Sequence, residues 1–330
     1  MRQTISVKEL KLGMYIVLPV SWFKHPFLIS EFVIKSQDQI DRIIEHGIEE
    51  IVIDTEKGKS PGEEKPASQI RSALTTPPKT WDPEKLVPPE LREAVRDQAL
   101  PPEKKSKIVY ESSRVLVQRL FEDPKAENIQ AAKNSIADVV DMIIADDATA
   151  KYLLKITACD FYTYTHSVNV GVFSILLAKS LFGQSDAHNM HELGAGFFLH
   201  DIGKVRIDPA ILNKPARLTD EEMMKMKSHP FQGYKILKET NQLTEECMVI
   251  VMQHHEREDG TGYPRSLRRN EIHPYGRICC IADVYDALTA DRPYKQRLDT
   301  FSALKVMKEE MLNHFQKEMF EKFVLLFVQR

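Results

Sequence analysis

From about residue 105 onward, apolar side chains recur at intervals of three and four, and that spacing commits this part of the chain to helices packed on one another. The segments 109–121, 129–144, 167–182, 188–200, 219–238, 244–255, 278–289 and 301–328 all carry it. Gly183, Pro209, Pro215, Gly260, Gly262, Pro264, Pro274 and Pro293 mark loops between them. The expected fold is therefore mainly α, with a helical bundle over residues 106–330.

Upstream the character changes twice. Residues 56–105 hold nine of the eighteen prolines, with pairs at Pro77-Pro78, Pro88-Pro89 and Pro101-Pro102. No continuous helix tolerates that density, because each proline lacks an N–H and clashes with the preceding turn. This stretch reads as a partly extended linker with a short helix near 90–98. Residues 1–55 read as a small α+β module. Its strands are expected at 7–10, 14–18 and 48–53, with Gly13 as punctuation, and its helix at 37–46 with Gly47 as cap.

The 330 residues suit about two domains, and 42% hydrophobic residues can bury a sizeable core. A net charge of −3 lacks the basic field of a non-specific nucleic-acid binder, so DNA is not an expected partner. The first residues lack a signal-peptide pattern, and the best apolar stretch, 170–182, is interrupted by Ser174, Lys179 and Ser180, so no membrane span is expected. Cys159, Cys247, Cys279 and Cys280 form no CxxC pair. The chain is expected to be cytoplasmic and free of disulfides.

Polar residues interrupt the apolar helices at particular places. The run 193–199 leads into His200-Asp201, the run 248–252 into His254-His255, and the run 278–282 into Asp283. His166 opens the apolar stretch 168–177, and His229 sits inside another amphipathic segment. Burying such a group alone costs roughly 1–3 kcal/mol, more when it is charged. The seven therefore need each other or a metal, and imidazole with carboxylate suits first-row divalent ions. A lone histidine is more often a surface or packing residue, so His25, His46, His188, His191, His273 and His314 are read that way.

The order His166, His200-Asp201, His229, His254-His255, Asp283 resembles the HD superfamily of metal-dependent phosphohydrolases. Three longer runs narrow the resemblance to its HD-GYP subgroup. They are His200-Asp201-Ile202-Gly203-Lys204, the stretch from His254 through Gly262-Tyr263-Pro264, and Asp283-Val284-Tyr285-Asp286-Ala287-Leu288-Thr289 with Arg292-Pro293-Tyr294-Lys295 beyond it. The residues before 56 more weakly resemble the domain of unassigned function that often precedes HD-GYP, through 10–17, Trp22 to Phe27 and Val52-Ile53-Asp54.

The resemblance implies a cyclic dinucleotide phosphodiesterase holding two divalent transition-metal ions, iron or manganese. Asp201 would bridge them. His166, His200 and Asp283 would complete one site, and His229, His254 and His255 the other. Cyclic di-GMP would be opened to linear pGpG, or onward to GMP, by a hydroxide that the two metals activate. Cyclic GMP-AMP is the alternative substrate, and a non-hydrolytic receptor or partner-docking module is the alternative class. Lys204, expected one helical turn after His200, would face the metals and meet substrate phosphate. Tyr263, Arg292 and Lys295 would bind substrate, while Glu256 and Asp259 would support ligands or cap the loop. A homodimer and a protein partner at the Gly-Tyr-Pro loop are both compatible with this pattern. The sequence departs from part of the family at Tyr162, where members with three metals carry glutamate. A neutral phenol is a poor ligand, so two ions are expected, not three.

Overall fold

A computed structural model of the chain describes residues 2–17, 31–34, 37–45, 48, 50–55, 80–157, 163–183, 185–214, 217–290 and 297–328. His25, His46, Cys159, Tyr162, Arg292, Lys295 and the segment from Trp22 to Phe27 lie outside the described residues. The chain divides into two units, 1–78 and 79–330.

In the first unit, strands β1 (Arg2–Ser6), β2 (Tyr15–Val17), β3 (Glu31–Val33) and β4 (Glu50–Asp54) form an antiparallel sheet in the order β1-β4-β2-β3. Ile51 and Ile53 alternate inward and meet Ile40 and Ile43 of helix α1 (Gln37–Glu45) in one apolar core with Met14 and Ile16. The strand expected at 7–10 is instead a short 3-10 turn, Val7–Glu9. The reason is a capping box: Ser6 accepts from Lys8 N while Glu9 accepts from Ser6 N, which closes the chain into a turn.

The second unit is built of helices α2 (Pro83–Leu86), α3 (Pro89–Arg96), α4 (Pro102–Glu122), α5 (Ala126–Ala145), α6 (Asp147–Ile156), α7 (Thr163–Phe182), α8 (Met190–Phe198), α9 (Pro209–Leu212), α10 (Asp220–Met226), α11 (His229–Thr240), α12 (Glu245–Gln253), α13 (Pro274–Thr289), α14 (Thr300–Glu310) and α15 (Lys317–Val328). At its centre, α7 packs on α4, α8, α13 and α15. Phe173 of α7 meets Tyr285 of α13 edge-on at 5.1 Å, and Tyr285 meets Phe323 of α15 at 5.2 Å. The stretch 164–182 is long and apolar enough to cross a bilayer, but it is 72% buried in this core and carries His166.

Three expectations change here, one of them being the segment over 301–328, which divides into α14 and α15 with a 3-10 turn, Leu312–His314, between them. Residues 80–105 are part of the helical unit and not a linker, since Leu86, Val87, Leu91 and Ala94 are buried in its core. Pro83, Pro89 and Pro102 open helices, where a missing N–H costs nothing. Trp81 fastens this segment down. Its backbone donates to Asp123 at 2.8 Å, its indole to Glu122 at 2.9 Å, and Arg119 lies 4.7 Å over its ring. The continuous segment expected over 219–238 breaks at 227–228, because Pro230 starts a new helix.

Candidate metal centre

Three of the histidines sit where one helix ends or the next begins. His200 and His254 lie just beyond α8 and α12, and His229 begins α11 after the break at 227–228 that ends α10. The last carbonyls of a helix lack intrahelical partners. Each histidine uses one of them: His200 Nδ1 donates to Phe197 O at 2.8 Å, His229 Nδ1 to Met226 O at 2.8 Å and His254 Nδ1 to Val251 O at 2.9 Å. A carbonyl can only accept, so Nδ1 carries the proton and Nε2 is left with its lone pair.

Those lone pairs converge. His200 Nε2 lies 3.4 Å from His166 Nε2, and His229 Nε2 lies 3.1 Å from His254 Nε2. Two lone pairs repel at such distances unless a cation or a proton stands between them. Asp201 is 1% exposed and serves both pairs. Its Oδ1 is 3.1 Å from His229 Nε2, while its Oδ2 is 3.5 Å from both His166 Nε2 and His200 Nε2. Oδ1 is buried without a conventional hydrogen bond. Asp283 also spans the centre, with Oδ1 3.1 Å from His166 Nε2 and Oδ2 3.2 Å from His255 Nδ1. The ligand atoms form two groups, His166, His200 and Asp283 in one and Asp201, His229, His254 and His255 in the other, each within 4.8 Å. An orphaned buried carboxylate oxygen among inward lone pairs is a donor set that fits divalent ions.

The charges are arranged for the same purpose. Burial opposes ionisation of Asp201 and Asp283, yet both are held well below the usual carboxylate range, Asp201 chiefly by the Lys204 ammonium and Asp283 by His255 and His166. Burial pushes His200 down to about 4, so it is neutral and able to ligate. His166 goes the other way. Burial again opposes its charge, but Asp283 and Asp286 raise it to about 9. In the ion-free protein this proton stabilises the fold fully below 6.5, and the contribution is lost as pH rises through about 9. A bound ion must displace that proton. We therefore expect the apparent ion affinity to rise about tenfold per pH unit up to about 9 and then to level off. Calorimetric titration at several pH values checks this, and a flat profile contradicts it.

Lys204 reaches the centre by a route other than the one expected. α8 ends at Phe198, and Lys204 lies on a 3-10 segment, Ile202–Arg206. It meets Asp201 three residues back, because residues at i and i+3 eclipse in a 3-10 turn. Gly203 lets this turn press on α11, since a Cβ there would strike the backbone of His229 and Gly233.

The Gly-Tyr-Pro loop folds back onto His255. Tyr263 N donates to His255 O at 3.1 Å, and its ring lies 4.5 Å from the His255 ring. Gly262 is required because a Cβ would meet the backbone of residues 255–257. Glu256 ties the loop through Arg265 N at 2.7 Å and Leu267 N at 2.9 Å, and Asp259 caps Thr261 and accepts from Asn313. Lys227 Nζ stands 5.4 Å over the Tyr263 ring. His188, His191, His273 and His314 lie apart from the two ligand groups, with His188 stacked on Phe182 and His191 paired with Asp141.

Sequence reasoning assigned no role to three residues behind His166. Its Nδ1 faces Asp286, Asp286 accepts from Asn169, and Asn169 accepts from Tyr110. A signal existed for two of them: Asn169 follows His166 by three residues and Asp286 follows Asp283 by three, so each pair shares a helix face.

Residues 2–134 match the family described as a domain of unknown function, DUF3391, and residues 177–319 match the HD domain family. A cyclic di-GMP phosphodiesterase of Pseudomonas aeruginosa is 32% identical over 329 residues, 98% of this chain and 76% of that protein. A 3'3'-cGAMP-specific phosphodiesterase of Vibrio cholerae is 32% identical over 216 residues, 62% of this chain and 46% of that protein. The solved structure of an HDG"Y"P protein from Bdellovibrio bacteriovorus shares the fold, with a TM-score of 0.61 at 18% identity over 99% of this chain and all of that one. With the HD motif runs in place and a relative 32% identical over 98% of this chain, the chain belongs to the HD-GYP family of HD-domain proteins and carries a DUF3391 domain ahead of its HD domain.

Proposed function

We propose that this chain hydrolyses a cyclic dinucleotide, cyclic di-GMP first among them, by opening one phosphodiester to give linear pGpG. The observation that carries the reading is Asp201, a buried carboxylate with one oxygen toward each of two adjoining ligand groups. The centre would take two divalent transition-metal ions, iron or manganese, held by His166, His200 and Asp283 on one side and His229, His254 and His255 on the other. Bound there, the ions supply charge neutralisation at phosphorus and lower the pKa of water toward neutrality.

The protein's own groups do the rest. Lys204 stands beside Asp201 with its side chain 20% exposed, and would there meet a non-bridging phosphate oxygen. The hydrogen bonds from Nδ1 hold the imidazoles so that no rotation is needed when substrate arrives. Tyr263 flanks His255 at the edge of the centre, where a base or ribose would lie. Arg292 and Lys295 complete the substrate grip on the strength of their motif, Arg292 by bidentate contact with phosphate or guanine. The similarity to the Vibrio protein favours cyclic GMP-AMP as the second reading.

The test is to incubate manganese-loaded protein with cyclic di-GMP, cyclic GMP-AMP and cyclic di-AMP and to identify products chromatographically. Linear pGpG from cyclic di-GMP is expected. Hydrolysis of cyclic GMP-AMP alone would select the second reading, and tight binding without product would make the chain a receptor.

A further inference from the structure

His166 differs from the other histidines of the centre in how its ring is held. His200, His229 and His254 lean on carbonyls three residues earlier in their own stretch of chain. His166 stands in the first turn of α7, where the residue three before it, Thr163, is the first of the helix. Its Nδ1 is turned instead to a carboxylate on another helix. Nδ1 lies 2.6 Å from Asp286 Oδ2 on α13, Asp286 Oδ1 accepts from Asn169 Nδ2 at 2.7 Å, and Asn169 Oδ1 accepts from the Tyr110 hydroxyl on α4 at 2.8 Å. All four residues are 5% exposed or less.

We propose that Tyr110 is a positioning residue of the metal centre, acting through Asn169 and Asp286 on His166. This rests on the reading of the centre as a metal site. The direction of each bond follows from its chemistry. An ionised carboxylate only accepts, so Asn169 must turn its NH2 toward Asp286, which leaves its oxygen facing α4. The Tyr110 hydroxyl donates to that oxygen and so fixes the sense of the amide. Were the amide to turn over, its oxygen would face a carboxylate oxygen and Asp286 would lose its second donor. Asp286 could then rotate, and with it the ring whose Nε2 faces Asp283 and Asp201. Tyr110 falls within the stretch matched as DUF3391, so that stretch contributes to holding the HD ligand His166, which itself precedes the matched HD segment 177–319.

The experiment is a double-mutant cycle on metal affinity, with Tyr110→Phe, Asp286→Asn and the pair. Manganese binding is measured at one pH by competition with a fluorescent chelator, and melting of the ion-free proteins reports the fold. Asp286→Asn should weaken binding by about ten- to a hundredfold, as loss of a ligand's supporting partner does. Tyr110→Phe, which keeps the ring, should weaken it by about three- to tenfold. In the Asp286→Asn background the tyrosine substitution should add nothing, since its path is already cut. An unchanged affinity in Tyr110→Phe, or an equal loss in both backgrounds, overturns the proposal. If the unaltered protein takes up no manganese or other divalent ion, the reading of the centre falls first and takes this with it.

Discussion

Asp201→Asn should lower turnover by roughly three orders of magnitude and strip the protein of at least one ion, while the fold remains. Asn keeps the shape of the side chain but offers one neutral oxygen and an NH2 where the centre has two anionic oxygens. Asp201 Oδ1 faces His229 and Oδ2 faces His166 and His200, so both ligand groups lose their common anion at once. Metal charge stabilisation at a transition state amounts to several kcal/mol, and each 1.4 kcal/mol or so is a factor of ten, which sets the scale of the loss. Elemental analysis with steady-state kinetics measures both quantities. Two ions still bound and full turnover would show that the carboxylate is not their bridge.

Lys204→Ala should separate chemistry from metal binding. An ammonium next to developing phosphate charge is worth about a hundred- to a thousandfold in turnover, so kcat should fall by that much with metal content unchanged. The contact with Asp201 adds a condition. In the ion-free protein Lys204 is the nearest counter-charge to a carboxylate that is 1% exposed. Removing it should make the ion-free form melt earlier, and an ion bound at Asp201 should compensate. Kinetics and melting with and without metal report the two roles separately. Unchanged kcat would leave Lys204 as a counter-ion only.

The helices of this chain were legible because their signal is local. Spacing at three and four residues marked the catalytic half, and the histidines and aspartates stood out against the apolar runs leading to them. The prolines of 80–105 were misread because proline marks a linker and a helix start alike. What separates the two is whether Leu86 and Leu91 find a core, which no short stretch reveals. Lys204 was placed near the centre on an assumed continuation of α8, but α8 ends at Phe198 and the 3-10 turn brings it there by another spacing. The Asp286 contact to His166 spans 120 residues and the Tyr110 contact to Asn169 spans 59. Periodicity can put Asn169 and Asp286 on the right faces, but only packing of α4, α7 and α13 says that those faces meet.

The most direct measurement is anomalous diffraction from crystals soaked in excess manganese. Two peaks are expected on either side of Asp201, one within ligand distance of His166, His200 and Asp283 and the other within reach of His229, His254 and His255. A third full peak beside His166 would show that a phenol at position 162 does not keep an ion away. No peak beside Asp201 would contradict the reading of this cluster as a metal centre.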